Sequence, residues 1–279
     1  MKWAASGSAA YWIVFVSCFF GVAIWESFAP RRELRLRTGR RWANHGLLLA
    51  CSLGLSWLVV RIPAVLMASK VEHAPYRLLN RDSIPFAVQF ALAVLLLDLA
   101  RFLVHWSFHH YSWLWRIHEV HHSDPDYDVS TAGRFHPIEV VLIQLAIVLA
   151  IALIAPPVSA VVVSELLTTA VNLSSHANAS LPQWLEKVLR GIFVTPDLHH
   201  IHHSLEVVEQ NRNFGQSFIV WDRLLGTYLS ESSAGQLGME TGLADLRGEE
   251  ASSLPFLLKA PFVRGTVEIE KGPAENRTL

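Results

Sequence analysis

Charged side chains are scarce in this chain: Lys, Arg, Asp and Glu together make up 17% of its 279 residues, against 52% apolar residues. A soluble domain carries about 25% charged residues, so the deficit points to a protein embedded in a membrane. Charge of one dominant sign is missing as well, the formal net charge being −1 with His neutral. That excludes a nucleic-acid partner, whose phosphates require a basic surface. Cysteine is nearly absent. Cys18 and Cys51 lie in separate apolar segments without the spacing of a zinc or redox motif.

What is present in quantity is uninterrupted apolar sequence. Crossing ~30 Å of hydrocarbon takes about 20 mainly apolar residues in a helix, because lipid offers no partners to unpaired backbone groups. Four stretches qualify, at 9–29, 43–67, 84–104 and 138–171, and the last is long enough to fold back at Pro156-Pro157 as a helical hairpin. The expected fold is therefore all-α, an integral-membrane bundle of about four transmembrane segments. Short cytoplasmic loops carry the excess of Lys and Arg, so Arg31, Arg32, Arg35, Arg37, Arg40 and Arg41 are expected to face the cytoplasm. The amino terminus then lies outside, and the segments at 105–137 and 172–229 share the cytoplasmic side. The first segment reads as a retained anchor rather than a signal peptide, since Glu26-Ser27-Phe28-Ala29-Pro30 makes a poor cleavage site. From residue 230 the chain is more polar, broken by Gly235, Gly238 and Gly242, and is expected to be a cytoplasmic appendage with a loose charged end at 268–279. The Asn-x-Ser/Thr triplets at Asn172, Asn178 and Asn276 are read as chance matches.

Histidine is the unusual residue. The chain has 14, and most fall in clusters on the side assigned to the cytoplasm, where they would form a histidine-rich helical cap. His105 and His109 form HxxxH; His118, His121 and His122 form HxxHH; His176 stands alone; His199, His202 and His203 repeat HxxHH. Spacings of three and four put side chains on one helical face, one turn of ~5.4 Å apart, so each cluster could offer imidazoles to a common point. Nine imidazoles are too many for one ion, because a zinc site takes about four ligands. Two metals are the natural count. Imidazole suits Zn, Cu, Fe and Ni alike, so the ligands alone do not name the metal.

The segments around these boxes resemble the fatty acid hydroxylase and sterol desaturase superfamily. The likeness is carried by 98–109, by Leu114-Trp115-Arg116-Ile117-His118-Glu119-Val120-His121-His122-Ser123 and by Thr195-Pro196-Asp197-Leu198-His199-His200-Ile201-His202-His203-Ser204. Arg134-Phe135-His136-Pro137-Ile138-Glu139, Asn213-Phe214-Gly215 and Trp221-Asp222-Arg223-Leu224-Leu225-Gly226-Thr227 share it. It runs from about residue 84 to 229 and implies three parts: N-terminal transmembrane helices and loops at 1–83, a catalytic domain at 84–229 and a polar tail at 230–279. It further implies that His105, His109, His118, His121, His122, His176, His199, His202 and His203 bind two iron ions, which zinc can replace in purified protein. A lipid substrate, O2 and an electron donor such as ferredoxin or cytochrome b5 with a reductase follow from the same resemblance.

Several positions depart from the family pattern or stay open. The box at His176 has one histidine, with Asn172 one turn earlier where a partner might stand. His110 and His200 fall where an arginine is common and are read as surface or phosphate-facing residues. His136 is either a tenth ligand or a hydrogen-bond donor behind one. Asp98, on the face of His105, could accept the free N–H of a ligand imidazole, and Glu139 could orient His136 or Arg134. Trp106, Trp113, Trp115 and Trp221 are read as interfacial anchors. The resulting expectation is an oxygenase that hydroxylates or desaturates a lipid C–H bond, with the histidines as ligands rather than acids or bases. A metal transporter would place ligands in mid-membrane, where this chain has almost none. A zinc hydrolase would pair three ligands with a carboxylate base, and His118-Glu119-Val120-His121 lacks the HExxH spacing. A purely structural metal-binding protein is the remaining alternative.

Overall fold

Backbone groups in an apolar run can be satisfied only within the chain, so each run folds as a helix. A computed structural model describes residues 2–61, 63–76, 78, 79 and 83–263. The charged end at 268–279 and the Asn276 triplet lie outside them. The described residues contain no strand, only isolated bridges such as Phe193–Phe218. The helices are α1 (Lys2–Phe28), α2 (Thr38–Val60), α3 (Ala64–Val71), α4 (Phe86–His110), α5 (Ser112–His122), α6 (Pro137–Ile154), α7 (Val158–Ser175), α8 (Gln183–Leu189) and α9 (Pro196–His202). Four shorter ones follow: α10 (Val207–Gln210), α11 (Val220–Leu225), α12 (Gly235–Gly238) and α13 (Leu254–Val263). Five segments are long and apolar enough to cross a membrane: α1, α2 continued by α3, α4, α6 and α7.

Proline sets the breaks. The stretch expected as one helix at 43–67 is two, because α2 stops at Val60, Arg61 adopts φ 55° and Pro63 caps α3. The hairpin at Pro156-Pro157 forms as expected: Ala155 turns to φ 48° and α7 restarts at Val158. A proline ring cannot continue the preceding helix but suits the entry to the next. Helix α6 opens in the same way, with Pro137 in its first turn and the His136 Nδ1 accepting the Ile138 N–H at 3.2 Å.

α1 packs on α7, α2 on α6, and α4 on both α6 and α7. Leu97, Ile147, Ile151 and Val161 fill the centre with Ala64 and Ala68 of α3. Phe20, Trp57, Leu149 and Leu153 instead point outward and are well exposed. Such a belt suits lipid, since a soluble monomer rarely exposes large contiguous apolar patches.

Buried ion pairs tie the link between α1 and α2 to the histidine-bearing end. Arg41 donates to Asp124 at 2.8 Å and also pairs with Asp128. Asp124 further takes Arg134 at 3.2 Å and the Thr131 hydroxyl at 2.9 Å. Burial pushes the Asp124 carboxyl up, but Arg41 and Arg134 outweigh it and hold it at about 2. Glu26 of α1 accepts the Val129 and Asn178 N–H groups at 2.9 and 2.6 Å. Arg31 pairs with Asp197 of α9, and Arg32 donates to the Gln236 and Met239 carbonyls. The segment after residue 230 is accordingly no free appendage. Leu257 and Ala260 of α13 pack on Leu48 and Val120, and Arg134 donates to the Ala251 carbonyl at 2.5 Å.

Arg41→Met keeps the volume but strips two buried carboxylates of their main partner. Breaking a buried pair by removing one member costs about 3–5 kcal/mol. Thermal unfolding in detergent should register that loss, and a variant as stable as the wild type would show that Arg134 alone neutralises the cluster.

Candidate metal centre

Nine imidazoles converge at one end of the bundle. His105 and His109 project from the last turns of α4, His118, His121 and His122 from α5, and His199 and His202 from α9, with His176 and His203 as the C-caps of α7 and α9. None is more than 7% exposed. They form two groups, His105, His109, His118, His122 and His202 in one and His121, His176, His199 and His203 in the other. Within each, one nitrogen per residue lies within 4.8 Å of all the others.

The grouping corrects the expectation that each box serves a single point. Successive helical residues are about 100° apart, so on the shared face i+4 lies about 40° to one side of i and i+3 about 60° to the other. The i,i+4 pair His118 and His122 accordingly joins the first group and His121 the second, whereas His199 and His203 join the second and His202 the first. The boxes interlock, and His122 and His203 stack at 4.4 Å where the groups meet.

Hydrogen bonds behind the rings fix their tautomers. His105 Nδ1 meets the Phe214 carbonyl and His202 Nδ1 the Arg212 carbonyl, both at 2.8 Å. A carbonyl only accepts, so each Nδ1 carries the proton and each Nε2 is bare; the Gln216 amide, 2.9 Å from the same His105 nitrogen, must then offer its oxygen. The two bare Nε2 atoms lie 3.0 Å apart. That contact is no hydrogen bond but two lone pairs facing each other. His118 is set by Glu139 at 2.5 Å and His176 by the Asn172 carbonyl at 2.7 Å. Their Nε2 atoms sit 3.2 Å from His122 Nε2 and 3.2 Å from His199 Nε2, respectively. Two nitrogens each about 2.1 Å from one ion are about 3.0–3.4 Å apart between right-angle and tetrahedral geometry. The donor set therefore fits a cation in each group. Both ring nitrogens of His109, moreover, are buried without a hydrogen-bond partner.

Electrostatics keep the rings in the ligand form. Burial lowers His118 to about 3 and His176 to about 4, and it drives His199, His202 and His203 well below their usual range with the neighbouring imidazoles adding to it. Neutral imidazole is the form that binds metal.

The fatty acid hydroxylase family model matches residues 90–227, the interval that holds all nine imidazoles. The chain belongs to that family. Ornithine lipid hydroxylase OlsE of Rhizobium tropici is 27% identical over 226 residues, which are 77% of this chain and 66% of that protein. Alkylglycerol monooxygenase of Caenorhabditis elegans is 30% identical over 134 residues, 48% of this chain and 26% of that enzyme. The human alkylglycerol monooxygenase is 27% identical over 140 residues, 50% of this chain and 30% of that enzyme. The chain thus spans about two thirds of the first relative and under a third of the monooxygenases. No solved structure matches.

Around this hydroxylase-family site, several expectations change. His136 joins neither group; it caps α6 and its Nε2 meets the Leu258 carbonyl at 3.3 Å. Asn172 contributes its backbone carbonyl to His176, while its amide donates to the Ala132 carbonyl at 3.2 Å. Asp98 touches no imidazole. It accepts from the Ser217 and Phe218 N–H groups and from Trp221 Nε1 at 3.1, 3.3 and 2.9 Å. Glu139 orients His118 rather than His136 or Arg134. His110 is exposed and stacks on Trp106, as a surface residue should. His200 is buried instead, beside Arg31 and Gln236 and stacked at 4.9 Å on Tyr127, whose other contacts are His176 and His203. Trp113 is exposed, whereas Trp115 is buried against His109 and His122.

Sequence reasoning missed the turn that holds the Arg212 and Phe214 carbonyls. Asp222 accepts the Phe214 and Gly215 N–H groups at 2.7 and 2.8 Å, and a Cβ at Gly215 would lie 2.8 Å from that carboxylate. Residue 215 must therefore be glycine. Backbone acceptors leave no signature in side-chain spacing; the Asn213-Phe214-Gly215 and Asp222 match was the available signal.

Glu139→Ala should lower metal affinity by about 10–100-fold, measured by chelator competition; unchanged affinity would mean that Glu139 does not orient His118. A pH dependence follows too. The unfolded imidazoles titrate near 6.5 but those of folded His118 and His176 near 3 and 4, so between these values the unfolded chain binds more protons. Metal-free protein should then lose stability as pH falls from about 6.5 toward 4, and a flat Tm over that range would contradict the assignment.

Proposed function

We propose that this chain is a membrane-bound di-iron oxygenase that uses O2 and external electrons to hydroxylate or desaturate a C–H bond of a lipid. The observation that carries the reading is the pair of buried all-imidazole groups whose bare nitrogens face one another at 3.0–3.4 Å. The nine histidines of those groups are the proposed ligands. Five nitrogens in one group exceed the four of a tetrahedral zinc site, which favours iron among the metals that imidazole suits. The family and both kinds of relative, named as lipid hydroxylase and alkylglycerol monooxygenase, support a lipid substrate.

Bound iron would supply the redox chemistry needed to activate O2 and remove hydrogen from an unactivated carbon. The chain's own part is positional. The carbonyls of Asn172, Arg212 and Phe214 hold three protons on Nδ1 and so aim three Nε2 lone pairs inward, while Glu139 orients the ring of His118. Trp115, Phe214 and Phe135 pack against the imidazoles and keep bulk water from them. The arginines between α1 and α2 support a cytoplasmic placement of the site, where a soluble carrier such as ferredoxin, or cytochrome b5, would deliver electrons.

Protein purified without oxygen should contain about two irons per chain. His121→Ala should lose metal, and cells carrying it should lose a hydroxylated or desaturated lipid that the wild type makes. Identical lipid profiles with and without the active gene would sink the oxygenase assignment.

A further inference from the structure

Between α1, α7, α8 and α9 lies a cavity of about 270 Å³ whose wall includes Trp25, Leu167, Val171, Leu181 and Phe193. Only Ser174 and Thr195 bring hydroxyls to it, and both are engaged elsewhere. Ser174 donates to carbonyls of its own helix and Thr195 to Glu186 at 2.6 Å. An apolar guest thus meets no unpaired hydroxyl there. The two residues also place the cavity: Ser174 lies two residues before His176, and Thr195 four before His199. The cavity is thus walled in part by the segments that lead into His176 and His199, two of the four imidazoles of the second group.

The neighbouring helix is apolar on the wrong side for water. Trp184, Val188 and Ile192, spaced by four along α8 and the turn after it, are 69%, 62% and 56% exposed, while Glu186 turns inward to Arg190 and Thr195. A short helix with that polarity suits the membrane interface, where an outward tryptophan and aliphatic face find lipid. Leu189 of the same helix lines the cavity, which therefore adjoins this lipid-suited face. A second cavity, of about 330 Å³, is of opposite character: His200 and Tyr127 line it together with Arg32, Arg35, Asp126 and Glu240.

We propose that the apolar cavity is the entry and binding site for the hydrocarbon chain of the substrate lipid. The chain passes from the bilayer between Trp25 and α8 and lies along Val171 and Phe193 toward His121, His176, His199 and His203. The inference rests on the lipid-oxygenase reading for what happens at its inner end, but occupancy of the cavity is testable without turnover. The probe is a single-chain fatty alcohol with a terminal diazirine, photolysed with the detergent-purified holoprotein. Labelling should saturate, map to peptides containing Trp25, Leu167, Val171 or Phe193, and be displaced by excess unlabelled fatty alcohol.

Leu167→Trp and Leu181→Trp, which fill the cavity from different elements, should each cut that labelling and raise KM by about tenfold with metal content unchanged. Labelling confined to other peptides, or undiminished in a folded, metal-replete Trp variant, would overturn the site. Should neither variant fold, the wild-type map alone decides. Saturable labelling of the cavity in a wild type that oxidises no lipid would retain the site and sink the oxygenase reading; wild-type KM and labelling in both variants would do the reverse.

Discussion

Bare imidazole nitrogens held 3.0 Å apart repel each other, and the histidine-bearing end of this protein is organised around keeping them there. A cation between them turns the repulsion into ligation, but the rings must be aimed before one arrives. The aim comes from behind, because a proton fixed on Nδ1 leaves Nε2 bare. The backbone acceptors behind the rings are themselves pinned: Asn172 belongs to the last turn of α7, and the turn holding the Arg212 and Phe214 carbonyls is gripped by Asp222 and Asp98. Asp98, three residues before Arg101 on α4, thus reaches His105 by a detour through Phe214 instead of directly. Loosening such an outer support would free an imidazole to relax away from its neighbours.

The interlocked boxes explain why this end cannot be assembled from one segment. Helices α5 and α9 each divide their histidines between both groups, so neither group is complete until the two helices face each other. What brings them together lies outside the boxes. Arg41 of α2 grips Asp124, two residues after His122, and Arg31 grips Asp197, two residues before His199. Contacts thus run across the expected divisions at 83 and 230. The arginines read as topology markers are also the clasps of the site.

How much of this could be seen in the sequence follows from the range of each interaction. The helices, the hairpin at Pro156-Pro157 and all nine clustered histidines are local features, fixed by apolar runs, proline and helical spacing. The split within each HxxHH box, with i and i+4 in one group and i+3 in the other, is local as well, whereas the placing of His105, His109 and His176 depends on how the helices pack. What remained hidden is long-range or carried by backbone. Nothing in the sequence near His118 points to Glu139, and no residue type marks the Phe214 carbonyl as the partner of His105. His200, which falls where an arginine is common and so reads as surface or phosphate-facing, is buried because Arg31, Gln236 and Tyr127 close over it.

Imidazoles, unlike carboxylates, suit a centre buried beside a membrane. A set of carboxylates facing one another would place several like charges in a region with little water, and each would cost several kcal/mol before any metal bound. Imidazoles avoid this, since burial drives those of α5, α7 and α9 toward the neutral form that a metal requires. The site can therefore be packed to near-zero exposure in the metal-free chain and still be ready to bind. Carboxylates appear only one layer out, where Glu139, Asp98 and Asp222 each accept hydrogen bonds from ring, indole or backbone N–H groups. The acidic groups thus stand behind the imidazoles, where they orient a ring or a turn and do not face one another across the centre.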